Sequence, residues 1–228
     1  HAKWYVQRTG MDVSAFGEYM LNGGDIVEEF VKHCRKVNMP AFISYRLNDW
    51  HQKNYVDLSK EQLKKFGIKD LTSMEISKFY DEHPEYRLKD IKTLPQIGKT
   101  PLKKYIEKYR NKIKANNLHD WSFSEVRQHK FAFIEEICRN YDIDGLELDF
   151  LRHRFYFKEG LSIKKREKIM HAFVKKVRTL LDQTVISNKY RWLCLRIPTR
   201  LNDIRSLGIN LKEKKDRRSE VKKEGRNW

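Results

Sequence analysis

Three times in this chain, apolar residues at helical spacing lead through a short polar turn into a strand-like run. Ile26, Val27, Phe30, Val31, Cys34 and Val37 recur in the first helix, Asn38 and Pro40 end it, and residues 41–46 follow as a strand. Val126, Phe133, Ile134 and Ile137 mark the second helix, closed by Asn140 and Tyr141 before residues 143–150. Ile163, Ile169, Met170, Phe173, Val174, Val177, Leu180 and Leu181 mark the third, ahead of residues 192–197. Apolar residues three and four apart make one helix face. A strand that follows a helix of this length can rejoin its predecessor in parallel, by a right-handed crossover. The pattern predicts an α/β domain with a parallel sheet. An open doubly wound sheet and a closed barrel both satisfy it.

The middle strand carries the chemistry. Side chains alternate between faces along a strand. Leu146, Leu148 and Phe150 then share one face, and Gly145, Glu147 and Asp149 share the other. Carboxylates are rarely taken from water without a partner or a task. The first strand offers Ser44 and Arg46, followed by the turn Asn48, Asp49, Trp50 and His51, and the third offers Arg196. Polar groups thus gather at the carboxyl ends of strands, where open sheets and barrels both place their ligands. Ion pairing of the two acids with the many Lys and Arg residues is the plain alternative.

Composition bounds the rest. The 228 residues suffice for one domain with a core. Lys and Arg number 48 against 31 Asp and Glu, a net charge of +17, which suggests affinity for polyanions without choosing among them. No apolar run approaches the roughly 20 residues that span a bilayer. Cys34, Cys138 and Cys194 lie inside apolar patterns without metal-ligand spacing and read as buried thiols. The chain starts at His1 with neither an initiator Met nor a signal-peptide pattern, so either a leader is expected to have been removed or the start lies outside this chain. Residues 52–120 are irregular and too long for an ordinary connection, so they read as an insertion over the strand ends. Ser122 and Glu125 stand at capping-box spacing ahead of the second helix. The expected organisation is one domain over residues 1–210 with that insertion, then a basic segment over residues 211–228.

Four stretches carry a resemblance. Residues 41–51 (AFISYRLNDWH), 83–86 (HPEY), 121–127 (WSFSEVR) and 143–153 (IDGLELDFLRH) together resemble glycoside-hydrolase-like (β/α)8 TIM-type barrel proteins, many of them from polysaccharide-degrading bacteria. The likeness covers residues 20–210 and implies such a barrel, partial or truncated here because a full one takes about 250 residues. It also implies a secreted or periplasmic setting. Residues 145–149 with Arg152 and His153 are distantly similar to the α-amylase superfamily stretch G-x-R-x-D-x-x-K-H. Carried across, Asp149 takes the place of the glycosyl nucleophile, and Arg152 and His153 take that of the sugar contacts. Glu147 stands where that superfamily has Arg, and the strand before Pro198 has no acid/base Glu.

Glycosidic hydrolysis needs two carboxyl groups, about 5–5.5 Å apart for retention and about 6.5–9.5 Å for inversion. Alternate residues of a strand have Cα atoms roughly 6.5 Å apart, from a rise of about 3.3 Å per residue, which suits either. The expected function is cleavage of a poly- or oligosaccharide, with Asp149 as nucleophile or stabiliser and Glu147 as acid/base. Arg46, Asn48, Asp49, His51, Arg152, His153, Arg196 and the Trp50 ring are expected to contact the sugar. This reading calls for no metal and no cofactor. A second reading gathers Glu147, Asp149, Asp49 and His153 around Mg²⁺ or Ca²⁺ in a phosphodiesterase or nuclease. A third is a non-catalytic module for acidic polysaccharide or nucleic acid, although acids at the centre of the site would repel such a partner.

Overall fold

The computed structural model describes residues 18–20, 22–49, 59–65, 76–88, 104, 108, 117–185 and 189–211. Trp50, His51, most of 52–116 and the basic segment after residue 211 lie outside the described residues. Strands β1 (Phe42–Arg46), β2 (Gly145–Asp149) and β3 (Trp192–Arg196) form one parallel sheet in the order β1-β2-β3. Around it stand α1 (Ile26–Lys36), α2 (Lys60–Lys65), α3 (Lys78–Glu82), α4 (Ser124–Asn140), α5 (Ile163–Gln183) and α6 (Leu201–Ser206). A 3₁₀ turn, Pro84–Tyr86, follows α3.

This corrects the expected barrel. The described residues hold a three-stranded sheet and six helices, a small α/β domain, not an eight-stranded closed ring. The parallel order follows from the chain itself. Each crossover contains one long amphipathic helix, and two such crossovers joining three neighbouring strands build a sheet with two edges.

The core lies on one side of the sheet. Leu146 and Leu148 are wholly buried and join Val126, Ile134 and Cys138 of α4 with Met170, Phe173, Val177 and Leu181 of α5. Ile43, Tyr45, Leu193 and Leu195 flank them. Full burial of such a side chain contributes roughly 1.5–3 kcal/mol. The other face is different. Phe42, Ser44, Arg46, Trp192 and Arg196 are exposed there, and Glu147 and Cys194 are partly so.

Local chemistry sets the element ends. Asp25 caps α1 by accepting from the Val27 and Glu28 amides, both at 3.0 Å. Asn38 turns the chain out of α1 with a φ of 52°, a left-handed conformation that Asn tolerates. Ser162 caps α5 through the Lys165 amide. The expected capping box at α4 is absent. Phe123 occupies the cap position without a side-chain bond, and the Ser122 amide instead donates to Asp120 at 2.9 Å. At the amino end of the sheet, the Asp144 carboxylate accepts from the Ala41 amide at 2.7 Å and from Arg35 at 2.6 Å, which ties α1 and β1 to β2.

Candidate active site at the strand ends

Because the strands are parallel, their carboxyl ends share one edge of the domain. Register places Ser44, Glu147 and Cys194 in one row and Arg46, Asp149 and Arg196 in the next. Both rows project to the open face, since they alternate with the buried leucines.

Asp149 is only 5% exposed. Its Oδ1 accepts from the Leu151 amide at 2.7 Å, closing a turn at the strand end. Its Oδ2 stands 3.7 Å from Arg196 Nη1, whose own side chain is mostly in water. At that distance and exposure the ion pair is weak. One oxygen is therefore fixed and the other is held loosely. Glu147, two residues earlier, is half-buried, and its Oε1 accepts from Ser44 Oγ at 2.7 Å.

The remaining expected residues separate. Asp49 Oδ1 lies 3.8 Å from His153 Nε2, with both side chains partly buried. Arg46 and Arg152 are exposed. Asn48 is wholly buried, where its Nδ2 donates to the Phe155 carbonyl at 2.8 Å and, more weakly, to the His119 carbonyl at 3.4 Å. It braces the two loops that follow β1 and β2, so it is placed to hold the site from behind. Trp50 and His51 lie outside the described residues. No group of three His, Cys, Asp or Glu side chains able to hold a metal ion occurs among the described residues, so the acids and His153 are not gathered as a ligand set there.

Two further groups stand near the site, Lys130, which the sequence pattern passes over, and Tyr156, whose ring the sequence offers for sugar stacking or for core packing. Lys130 of α4 is partly buried, and burial pulls its ammonium down to about 8, with the Asp49 carboxylate opposing that shift. The signal for it was present: Lys130 stands four residues after Val126 and four before Ile134, on the apolar stripe of α4. Tyr156 is 2% exposed, and its hydroxyl has no hydrogen-bond partner among the described residues. Burial first, and then the Asp149 charge, push that phenol well above its ordinary range. Asn48 Oδ1 and Trp121 Nε1 are likewise buried without partners among the described residues. Trp121 meets Tyr156 edge-on at 5.6 Å. Buried polar atoms of this kind are normally met by ordered water or a ligand group.

No family model and no curated protein matches the chain. Function must be read from the site.

Proposed function

We propose that the domain cleaves a glycosidic bond of a poly- or oligosaccharide at the carboxyl end of its sheet. The observation that carries this reading is the state of Asp149. It is a nearly buried carboxylate with one oxygen pinned by the Leu151 amide and the other loosely held, on an open face that also carries a second acid. Pinning sets the orientation, and low exposure removes water that would otherwise quench a negative charge. In this scheme Asp149 attacks or stabilises the anomeric carbon through Oδ2. Glu147, held by Ser44, exchanges a proton with the departing oxygen. Arg46 and Arg196 flank Asp149 in the register and Arg152 follows it three residues on, all three with exposed guanidinium groups suited to sugar hydroxyls or sugar acids.

Release of reducing ends from a panel of purified polysaccharides tests it. Asp149→Asn is expected to lower the rate on the order of a thousandfold or more while the fold is kept. Glu147→Gln should spare substrates with an activated aryl leaving group, which need little acid assistance. Wild-type rates in Asp149→Asn, or no release by the wild-type protein from any polymer, would overturn the proposal.

The three exposed arginines also favour a second reading, a non-catalytic module for acidic polysaccharide or nucleic acid. Retention on heparin that falls steeply with salt and is unchanged by Asp149→Asn would support this reading instead.

A further inference from the structure

We propose that the depression between α3, the 3₁₀ turn and the start of α4 is a second carbohydrate site, one that takes an uncharged sugar ring. Its volume is about 370 Å³, and Phe79, His83, Tyr86, Glu125, Gln128 and His129 line it. The aromatic rings in it are stacked and only partly buried. Phe79 lies on His129 with centroids 3.9 Å apart and planes at 8°. Tyr86 lies near-parallel to His83, at 4.9 Å and 23°, and to Phe79, at 5.7 Å and 29°. Phe123 supports Tyr86 from behind at 5.0 Å. The result is a platform of ring faces fixed by their neighbours, which loses little freedom when a flat apolar surface settles on it. The C–H face of a pyranose is such a surface.

The rim supplies the polar half of sugar recognition. Glu125 and Gln128 are exposed and stand three residues apart on α4, so they share a face. One offers two acceptor oxygens and the other an acceptor and a donor, a combination that suits neighbouring hydroxyls. His83 donates or accepts beside Glu85, 3.0 Å away. Charge decides the class of ring. Glu85 and Glu125 both act on the Tyr86 hydroxyl, which burial first and then these two charges raise above its ordinary range. Cations meet both acids, His83 at 3.0 Å and Arg87 beside Glu85 and Arg127 beside Glu125, so the rim offers no net charge for a uronate or sulfate to pair with.

The depression also lies at the correct end of the domain. Phe79 meets the His119 ring at 5.8 Å, and the His119 carbonyl accepts from Asn48 just beyond β1. The first turns of α4 lie at this end too, because α4 runs back to the amino end of β2. A chain lying over Asp149 can therefore extend onto the platform. The choice of a sugar as ligand rests on the carbohydrate reading of Asp149.

Affinity electrophoresis of the full chain in gels containing hydroxyethyl cellulose, arabinoxylan or galactomannan tests the site apart from catalysis. The wild-type protein should be retarded by at least one of these neutral polymers. Tyr86→Ala and Gln128→Ala should each weaken retardation at least tenfold, whereas Tyr86→Phe should retain most of it. Lys168→Ala, at an exposed position of α5 that does not line the depression, should leave it unchanged. Gln128→Ala changes an exposed helix position and keeps the test valid if Tyr86→Ala fails to fold. The site is overturned if no neutral polymer retards the protein, if Gln128→Ala stays within twofold of wild type, or if single-stranded poly(dT) displaces the polysaccharide from the platform. Loss of binding in Gln128→Ala together with full cleavage by Asp149→Asn would sink the catalytic scheme and leave the platform standing. Loss of cleavage in Asp149→Asn with unchanged binding in Gln128→Ala would do the reverse.

Discussion

Lys130 shows how a single residue carries information that pattern alone passes over. On the helical wheel it is an interruption of an apolar stripe; in the fold it is a cation drawn toward neutrality near Asp49. The consequence for stability has a definite sign. The folded-state value, about 8, lies below the ordinary lysine value of 10.5. The unfolded chain thus binds more protons between these two values, and stability from this group rises with pH through that window. Below about 8 both states are protonated, and the full cost of burying the charge is present. Lys130→Met should stabilise the protein at neutral pH, and its advantage over wild type should shrink as pH rises from 8 toward 10.5. Urea unfolding at pH 7, 9 and 10.5 measures the difference; an advantage that grows with pH would remove Lys130 from this environment. Asn48 teaches the converse lesson. Its place in a polar turn after a strand suggested a sugar contact, but whether such an amide faces solvent or the loops behind it depends on Phe155 and His119, which are distant in sequence.

Among the elements, all three strands and the long helices were legible, because period and length distinguish a buried five-residue strand from a helix of several turns. Degree of covering was less legible. Ile26, Phe30 and Val37 of the α1 pattern are exposed, whereas Val31 and Cys34 of the same helix are buried. Helical spacing gives the stripe its direction, and only the packing partner decides how much of it is covered. The junction of α4 with β3 was not legible at all. Arg191 is 2% exposed, and its Nη1 and Nη2 donate to the Cys138 carbonyl at 2.7 Å and the Tyr141 carbonyl at 2.9 Å. These carbonyls belong to the last turn of α4 and the residue after it, where helical partners run out. One planar fork satisfies both and locks the start of β3 to the end of α4. Arg191→Lys keeps the charge but has a single nitrogen in place of the fork. Arg191→Ala leaves both carbonyls buried and unpaired, at about 1–3 kcal/mol each. Chemical denaturation should show Arg191→Ala losing several kcal/mol, and Arg191→Lys recovering only part of it. Equal stability of wild type and Arg191→Lys would mean that the fork geometry is unimportant.

At the scale of the whole molecule, the resemblance suggested a closed ring of strands, and the described residues form a sheet with an open face. Short motifs report on strand ends, and they do not count strands, so the stretch 143–153 marks the end of β2 and says nothing of how many strands stand beside it. Parallel sheets are usually covered on both faces. Here Phe42 and Trp192 flank a row of polar groups on the uncovered side, with Phe42 folded over Gly145, where any β-carbon would run into its ring. The thiols can report whether this face is open in solution. Cys194 lies on it beside Glu147 and is partly exposed, whereas Cys34 and Cys138 are buried in the core. Burial also raises the Cys138 thiol to about 11, which leaves almost no thiolate at neutral pH. With a disulfide reagent at pH 8, one thiol should react in the native protein and mass mapping should place it at Cys194. The other two should follow only with unfolding. Protection of Cys194 in the native protein, lost in Ser44→Trp or on dilution, would show that the face is covered in solution, and the acids that share it would then be closed to a polymer substrate.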